Sequence, residues 1–232
     1  MRIAFIILFY FLSLSLHGQI VSAIINDNDG FTNIRIEPNI NSKVDSKIVD
    51  GQVFEYNGDD FFEKKEWIYV SCFKSTRTDK EARNYMENYI SGYMHRSRVL
   101  PLDKIQTRIP VNEINDESVK YKNDSMLIEI RKRKLLEVEI DSLYFMDIWG
   151  TDTGNPKNKL TEVNLRINGE IIQIPEKYYT DLYRVNLENS YVIYYKDILI
   201  VGMTNSDGAG FYEVNWVVKN GEFVNRYISL GP

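Results

Sequence analysis

The chain has 232 residues, 44% of them hydrophobic and 26% charged, the balance of a folded soluble protein and not of a disordered one. Aromatic residues reach 13%, with 16 Tyr, and with the dense β-branched residues they favour sheet. The formal charge of -5 argues against a nucleic-acid partner, because phosphate contacts need a surplus of Lys and Arg on one face.

Met1 and Arg2 make a short basic start, and Ile3 to Leu16 is apolar except for Ser13 and Ser15. That is long enough for the core of an export signal and short of the roughly 20 residues that span a bilayer. A signal peptide is expected over residues 1–23, cut after Ala23, with Val21 and Ala23 in the small-residue positions; a cut after Gly18 is the alternative. The expected location is periplasmic or secreted, with no transmembrane anchor once the leader is removed. A lipid anchor needs a Cys just behind the apolar segment, and the only Cys is Cys72.

Beyond the leader, dipeptides suited to two-residue loops recur. Asp50-Gly51 precedes QVFEY and Asn57-Gly58 follows it; Asn168-Gly169 separates VNLRI from EIIQI, and Asn220-Gly221 separates YEVNWVVK from EFVNRYI. Each predicts a hairpin, because a type I′ turn needs positive φ at both central residues. In IYVSCF, Ile68, Val70 and Cys72 alternate with Tyr69 and Ser71, a half-buried strand with Cys72 as a small core residue. KSTRTDKEARNYMENYIS then suggests a short inserted helix capped by Thr78 or Asp79, with Tyr85 and Tyr89 on one face. DKIQTRIPVNEINDES has no aromatic residue and no sustained period, so residues 103–118 read as a linker between domains at 24–102 and 119–232. In the second domain Val163, Leu165 and Ile167 alternate with Glu162, Asn164 and Arg166, and Val214, Trp216 and Val218 alternate with Glu213 and Asn215. A helical turn is expected in EKYYTDLY after Pro175.

The order Gly30, Phe31, Asn33, Arg35, Pro38, Ile48, Gly51, Phe54, then Trp67 in WIYVSCF and Gly92, Tyr93 and His95 in SGYMHRSRV, resembles the bacterial SH3 (SH3b) family. The resemblance runs from Ile24 to about Leu100 and departs from the family pattern at the long stretch from Lys74 to Ile90. It implies a small five-stranded barrel that binds cell-envelope targets, wall peptides among them, or places an attached domain. The fold class expected is therefore mainly β: an SH3-like small barrel followed by an antiparallel β domain with a short helix. Phe31, Arg35, Trp67 and Tyr93 are the candidate ligand-binding residues, joined by Tyr85 on the inserted helix. His95 is expected to hydrogen-bond a turn, since one imidazole makes no zinc site.

Several motifs fail. Asp152-Thr153-Gly154 has the letters of an aspartic protease loop, but that chemistry needs a second copy. NDNDGFTNIRIE has Ile25 and Ile36 where a calcium loop needs its first and last ligands. NSDGAG lacks the Lys-Ser/Thr ending of a P-loop and suggests a tight hairpin. The segments WGTD, IPEKYYTDL and SDGAG before VNW resemble a small secreted bacterial β domain over about Phe145 to Pro232. Trp149, Asp152, Asn205, Ser206 and Asp207 are candidates for a polar site at one end of its sheet. No cofactor and no metal is expected, and the sequence carries no paired nucleophile and base. The expected function is a non-catalytic binding or assembly module of the bacterial envelope, its partner an envelope protein, a peptide or a cell-wall fragment. The alternative is an immunity-type inhibitor of a delivered toxin, with the C-terminal domain as inhibitor.

Overall fold

The computed structural model describes residues 20–73, 89–141, 143, 148–150 and 154–230. Residues 74–88 of the expected helix, Tyr85 among them, and Asp152 lie outside the described residues, whereas Tyr89, expected on the same helical face, is the first residue of a strand, Tyr89–His95. The fold is mainly β, in three antiparallel sheets.

Strands β1 (Ile20–Ile25), β2 (Phe31–Arg35), β3 (Val44–Val49), β4 (Phe54–Asn57), β5 (Trp67–Phe73), β6 (Tyr89–His95) and β7 (Val99–Pro101) curl into a half-barrel in the order β3-β2-β6-β5-β4-β1-β7. Strands β8 (Val111–Ile114), β9 (Ser118–Lys122), β10 (Met126–Lys134), β11 (Asn158–Ile167) and β12 (Glu170–Ile172) form a second sheet with sequential neighbours. The third, also sequential, contains β13 (Ser190–Tyr195), β14 (Ile198–Asn205), β15 (Tyr212–Lys219) and β16 (Glu222–Leu230).

Two of the four dipeptide signals make the expected hairpins. Asn168 and Gly169 (φ 51° and 86°) join β11 to β12, and Asn220 and Gly221 (φ 53° and 79°) join β15 to β16. Asp50-Gly51 is a turn but joins no hairpin: β3 pairs with β2, while β4 pairs with β1 and β5. Asn57-Gly58 starts a helix instead. The Asn57 side chain accepts a hydrogen bond from the Asp59 amide at 2.9 Å and caps α1 (Gly58–Phe62), the N-cap use of Asn competing with its turn use. The NSDGAG connection is wider than a tight hairpin, with a 3-10 turn at Gly208–Gly210 between β14 and β15. The turn after Pro175 is a 3-10 helix, Glu176–Tyr178. A second helix, α2 (Glu137–Asp141), is anchored to β10 by Glu139, which accepts hydrogen bonds from Arg133.

The sheet β13–β16 is buried on both faces, which half-buried alternation does not anticipate. Val192, Leu199, Val201, Val214, Trp216 and Ile228 pack into one core with Val119, Ile128, Ile130, Leu160 and Leu165 of the second sheet. The alternate residues Ile193, Ile198, Ile200, Val217 and Tyr227 pack into another core with Ile24, Phe54, Val70 and Met94 of the half-barrel. The apolar run ILIVGM is thus a strand whose side chains find hydrophobic partners in both directions.

Residues 103–118, read as a linker, are built into this body. Ile105 is 4% exposed in the half-barrel core and Ile109 is 5% exposed in the other. Between them the Tyr194 amide donates to Thr107 O and the Ile109 amide to Val192 O, both at 2.9 Å, so the segment pairs with the outer edge of β13. Residues 111–114 are strand β8. The start at 24 also shifts, because Ile20–Ala23 make up four of the six residues of β1 and pair with β4.

A sheet shared by two cores predicts one cooperative unit. Ile200→Ala, at a 0% exposed position facing the half-barrel, is expected to lower stability by about 2–5 kcal/mol. Urea denaturation followed by Trp fluorescence and by far-UV circular dichroism should give coincident curves for both proteins; two separated transitions would refute the shared core.

Candidate functional site

Strands β5 and β6 present an aromatic ladder on the outside of the half-barrel. Alternation turns Ile68, Val70, Cys72 and Met94 inward, all at most 2% exposed. It turns Trp67, Tyr69, Ser71, Tyr93 and His95 outward, as the strand period requires. Register then pairs them across the strands: Trp67 with His95, Tyr69 with Tyr93, Ser71 with Ser91. The Trp67 and His95 rings meet edge to face at 5.5 Å, and the two Tyr rings at 5.3 Å, the geometry that the ring quadrupole favours. Tyr69 is 47% exposed.

Arg35 of β2 is the register partner of Tyr93. That close crossing depends on Gly92, where a Cβ would lie 2.6 Å from Arg35 O and 2.8 Å from Ile34 Cγ2. The Arg35 guanidinium donates to Ser42 O at 2.6 Å, which ties it to the loop after β2. Phe31 is at the far end of β2, its ring covered by Lys47 Nζ at 4.0 Å. Four of the five expected ligand-binding residues therefore occupy the outer face of one sheet, with Arg35, Tyr93 and Trp67 on or beside the ladder and Phe31 set apart from it. The sequence reading missed Tyr69, although its alternation with Val70 was the available signal.

His95 does bond a turn. Its Nδ1 accepts from the Ser97 amide at 3.3 Å, capping the 3-10 turn Arg96–Arg98. The neutral ring then carries its proton on Nε2, which lies 3.6 Å from Glu66 Oε1. Cys72 and His95 are not a catalytic pair: they are at opposite ends of the β5–β6 pairing, with side chains on opposite faces. Burial, with a smaller contribution from Glu55, pushes the Cys72 thiol up to about 12.

The polar candidates of the C-terminal region converge only in part. The Trp149 amide donates to Asp181 O at 2.8 Å and the Tyr183 amide donates back to Trp149 O at 3.1 Å, so Trp149 closes one end of the core. Gly150 follows with φ 90°, and a Cβ there would lie 2.3 Å from Tyr183 O. Ser206 Oγ reaches Gly150 O at 3.4 Å. Asn205, however, is 1% exposed and accepts from the Asn186 amide at 2.8 Å, which makes it an internal brace. Asp207 is exposed and its side chain makes no capping bond to the turn that follows.

Two buried polar groupings escaped the sequence reading. Arg226, 1% exposed in β16, donates through both terminal nitrogens to Asp181, at 2.5 and 3.0 Å. Its signal was a lone Arg in the apolar strand EFVNRYISL. At the seam between the half-barrel and the middle sheet, Glu213 accepts from Ser22 Oγ and from the Tyr191 hydroxyl, each at 2.6 Å. Burial, and then the Glu213 charge, pushes the Tyr191 hydroxyl well above its ordinary value. These side chains border a cleft of about 240 Å³ that Asp103 and Arg108 also line. Tyr191 lies across Gly202, where a Cβ would come within 2.1 Å of the ring.

The chain matches no family model, no curated protein and no solved structure. No helix among the described residues is long and apolar enough to cross a membrane.

Arg226→Met should cost about 3 kcal/mol in urea denaturation, the low end for a broken buried pair because the Asp181 side chain is 24% exposed. Asp181→Leu added to it should recover part of the loss; a double variant less stable than the single would refute the charge argument. The raised Cys72 thiol gives a pH signature. The folded chain keeps its proton while the unfolded chain loses it above the ordinary value of 9.0, so this group's contribution to stability falls as pH rises from about 9 towards 12. Cys72→Ser should flatten that part of the stability profile, measured by denaturation at several pH values.

Proposed function

We propose that the protein is an exported, non-catalytic binding module of the bacterial envelope, whose SH3b-like half-barrel recognises a peptide or a cell-wall component. The observation that carries this reading is the ladder Trp67–His95 and Tyr69–Tyr93, aromatic side chains set in pairs on the solvent side of a rigid sheet. Exposed Tyr and Trp combine a large apolar area with a polar tip and lose little conformational entropy on binding. Arg35 beside Tyr93 and Lys47 over Phe31 add cations, which suits a ligand carrying carboxylates, as wall peptides do.

The test is sedimentation with purified peptidoglycan and, separately, affinity capture from an envelope fraction. Tyr69→Ser with Tyr93→Ser is expected to weaken binding about tenfold or more, the effect of losing central aromatic anchors. The melting temperature should stay near that of the unmodified chain, because these side chains lie outside the core. Unchanged wall binding in the double variant would move recognition off the ladder. Capture of one stoichiometric protein through the C-terminal sheets, with no wall binding, would replace this reading with the toxin-inhibitor one.

A further inference from the structure

Resting on the export reading above, we propose that the leader is removed between Gly18 and Gln19, and that the mature chain keeps Ile20–Ala23, the first four residues of β1. The small-residue rule alone favours a cut after Ala23. The fold opposes it on four counts.

Pairing comes first. Ile20, Val21, Ser22 and Ala23 are the four residues of β1 that pair with β4, opposite Asn57, Tyr56, Glu55 and Phe54. A cut after Ala23 leaves β4 with no partner on that side. The second count is position: β1 lies between β4 and β7 in the sheet order, so shortening it to Ile24 and Ile25, which pair with β7, opens a gap inside the half-barrel instead of fraying an edge.

The third count is charge. Hydrolysis adds water across the peptide bond, leaving a carboxylate on the leader and an ammonium on the first mature residue. After a cut at Ala23 that ammonium would belong to Ile24, whose side chain lies in the core with Phe54, Val70 and Met94, so the charge would stand at the margin of that core. A charge held beside apolar groups loses hydration. Ile20, by contrast, is 37% exposed, so a chain beginning ahead of it keeps its terminal charge off the core. The fourth count is the seam. Ser22 Oγ donates to Glu213 at 2.6 Å, and removing Ser22 takes away one of the two hydroxyls that hold this carboxylate between the sheets.

The full chain with its own leader is expressed in a bacterial host, and the product recovered from the periplasm is identified by intact mass and N-terminal sequencing. A mature chain beginning at Gln19, or at the pyroglutamyl residue it forms on loss of ammonia, is the expected result. Gly18→Leu should then make uncut precursor accumulate. A folded product beginning at Ile24 overturns the proposal while leaving export intact. A folded chain that begins at Met1 and stays in the cytoplasm overturns it together with the export reading. Two shorter chains expressed without a leader separate folding from processing. Residues 19–232 should melt cooperatively, whereas residues 24–232 should aggregate or melt at lower temperature. Equal melting of the two would also overturn the proposal.

Discussion

The whole molecule depends on one sheet whose central strands, β14 and β15, have no wet side. Along β14 and β15 successive side chains enter different cores, Leu199 and Trp216 on one face, Ile200 and Val217 on the other. Each fully buried aliphatic side chain contributes roughly 1.5–3 kcal/mol relative to exposure, so these strands tie both flanking sheets to each other. The same constraint governs the polar residues buried on the sheet. Shielded from solvent, each needs a partner inside the protein. Glu213, Asn215 and Tyr191 on the half-barrel face bond one another and Ser22. Arg226 on the opposite face binds Asp181 bidentately. The Ser22–Glu213 bond links the half-barrel to β15, and the Asp181–Arg226 pair links the segment after Pro175 to β16.

The half-barrel differs in having one covered face and one open one. Its inner face and the middle sheet share a core, while the outer sides of β5 and β6 stay in contact with solvent. Aromatic residues on such a face are not needed for the core, yet their positions are closely determined. Strand register sets the Trp67–His95 and Tyr69–Tyr93 pairs, and Gly92 admits the backbone of β2 close enough to bring Arg35 alongside. Strand pairing thus holds the side chains of the ladder in one register.

Local signals in the sequence are read correctly where one element decides its own structure. The inward alternation of Ile68, Val70 and Cys72 and the Asn-Gly turns at 168 and 220 need no distant partner, and the structure has them as expected. Asn57-Gly58 misleads because Asn serves equally as a turn residue and as a helix cap, and the choice depends on β4 and β5 being bridged by α1. Residues 103–118 look like a linker because isolated Ile residues in a polar stretch show no period. Ile105 and Ile109 are nonetheless buried, each in a different core, because the segment crosses from one to the other along the edge of β13. Long-range pairings such as Asp181–Arg226 and Ser22–Glu213, 45 and 191 residues apart, leave no local pattern to read.

The letters that first drew attention in the C-terminal region also acquire a physical meaning. Trp149 and Gly150 pair by backbone hydrogen bonds with the Asp181 to Tyr183 segment. Gly150 has positive φ and no room for a side chain against Tyr183 O. Asp181 holds Arg226, the Tyr212 hydroxyl donates to Tyr183 O at 2.8 Å, and the Trp216 indole donates to Tyr178 O at 2.8 Å. Trp-Gly, Asp-Leu and the Trp strand are therefore parts of one closure over the end of a core, assembled from segments far apart in sequence. Residues committed in this way to backbone and buried partners have little left to offer a ligand. The outward ladder of the half-barrel is the contrasting case, its side chains held in register without being used up by the core.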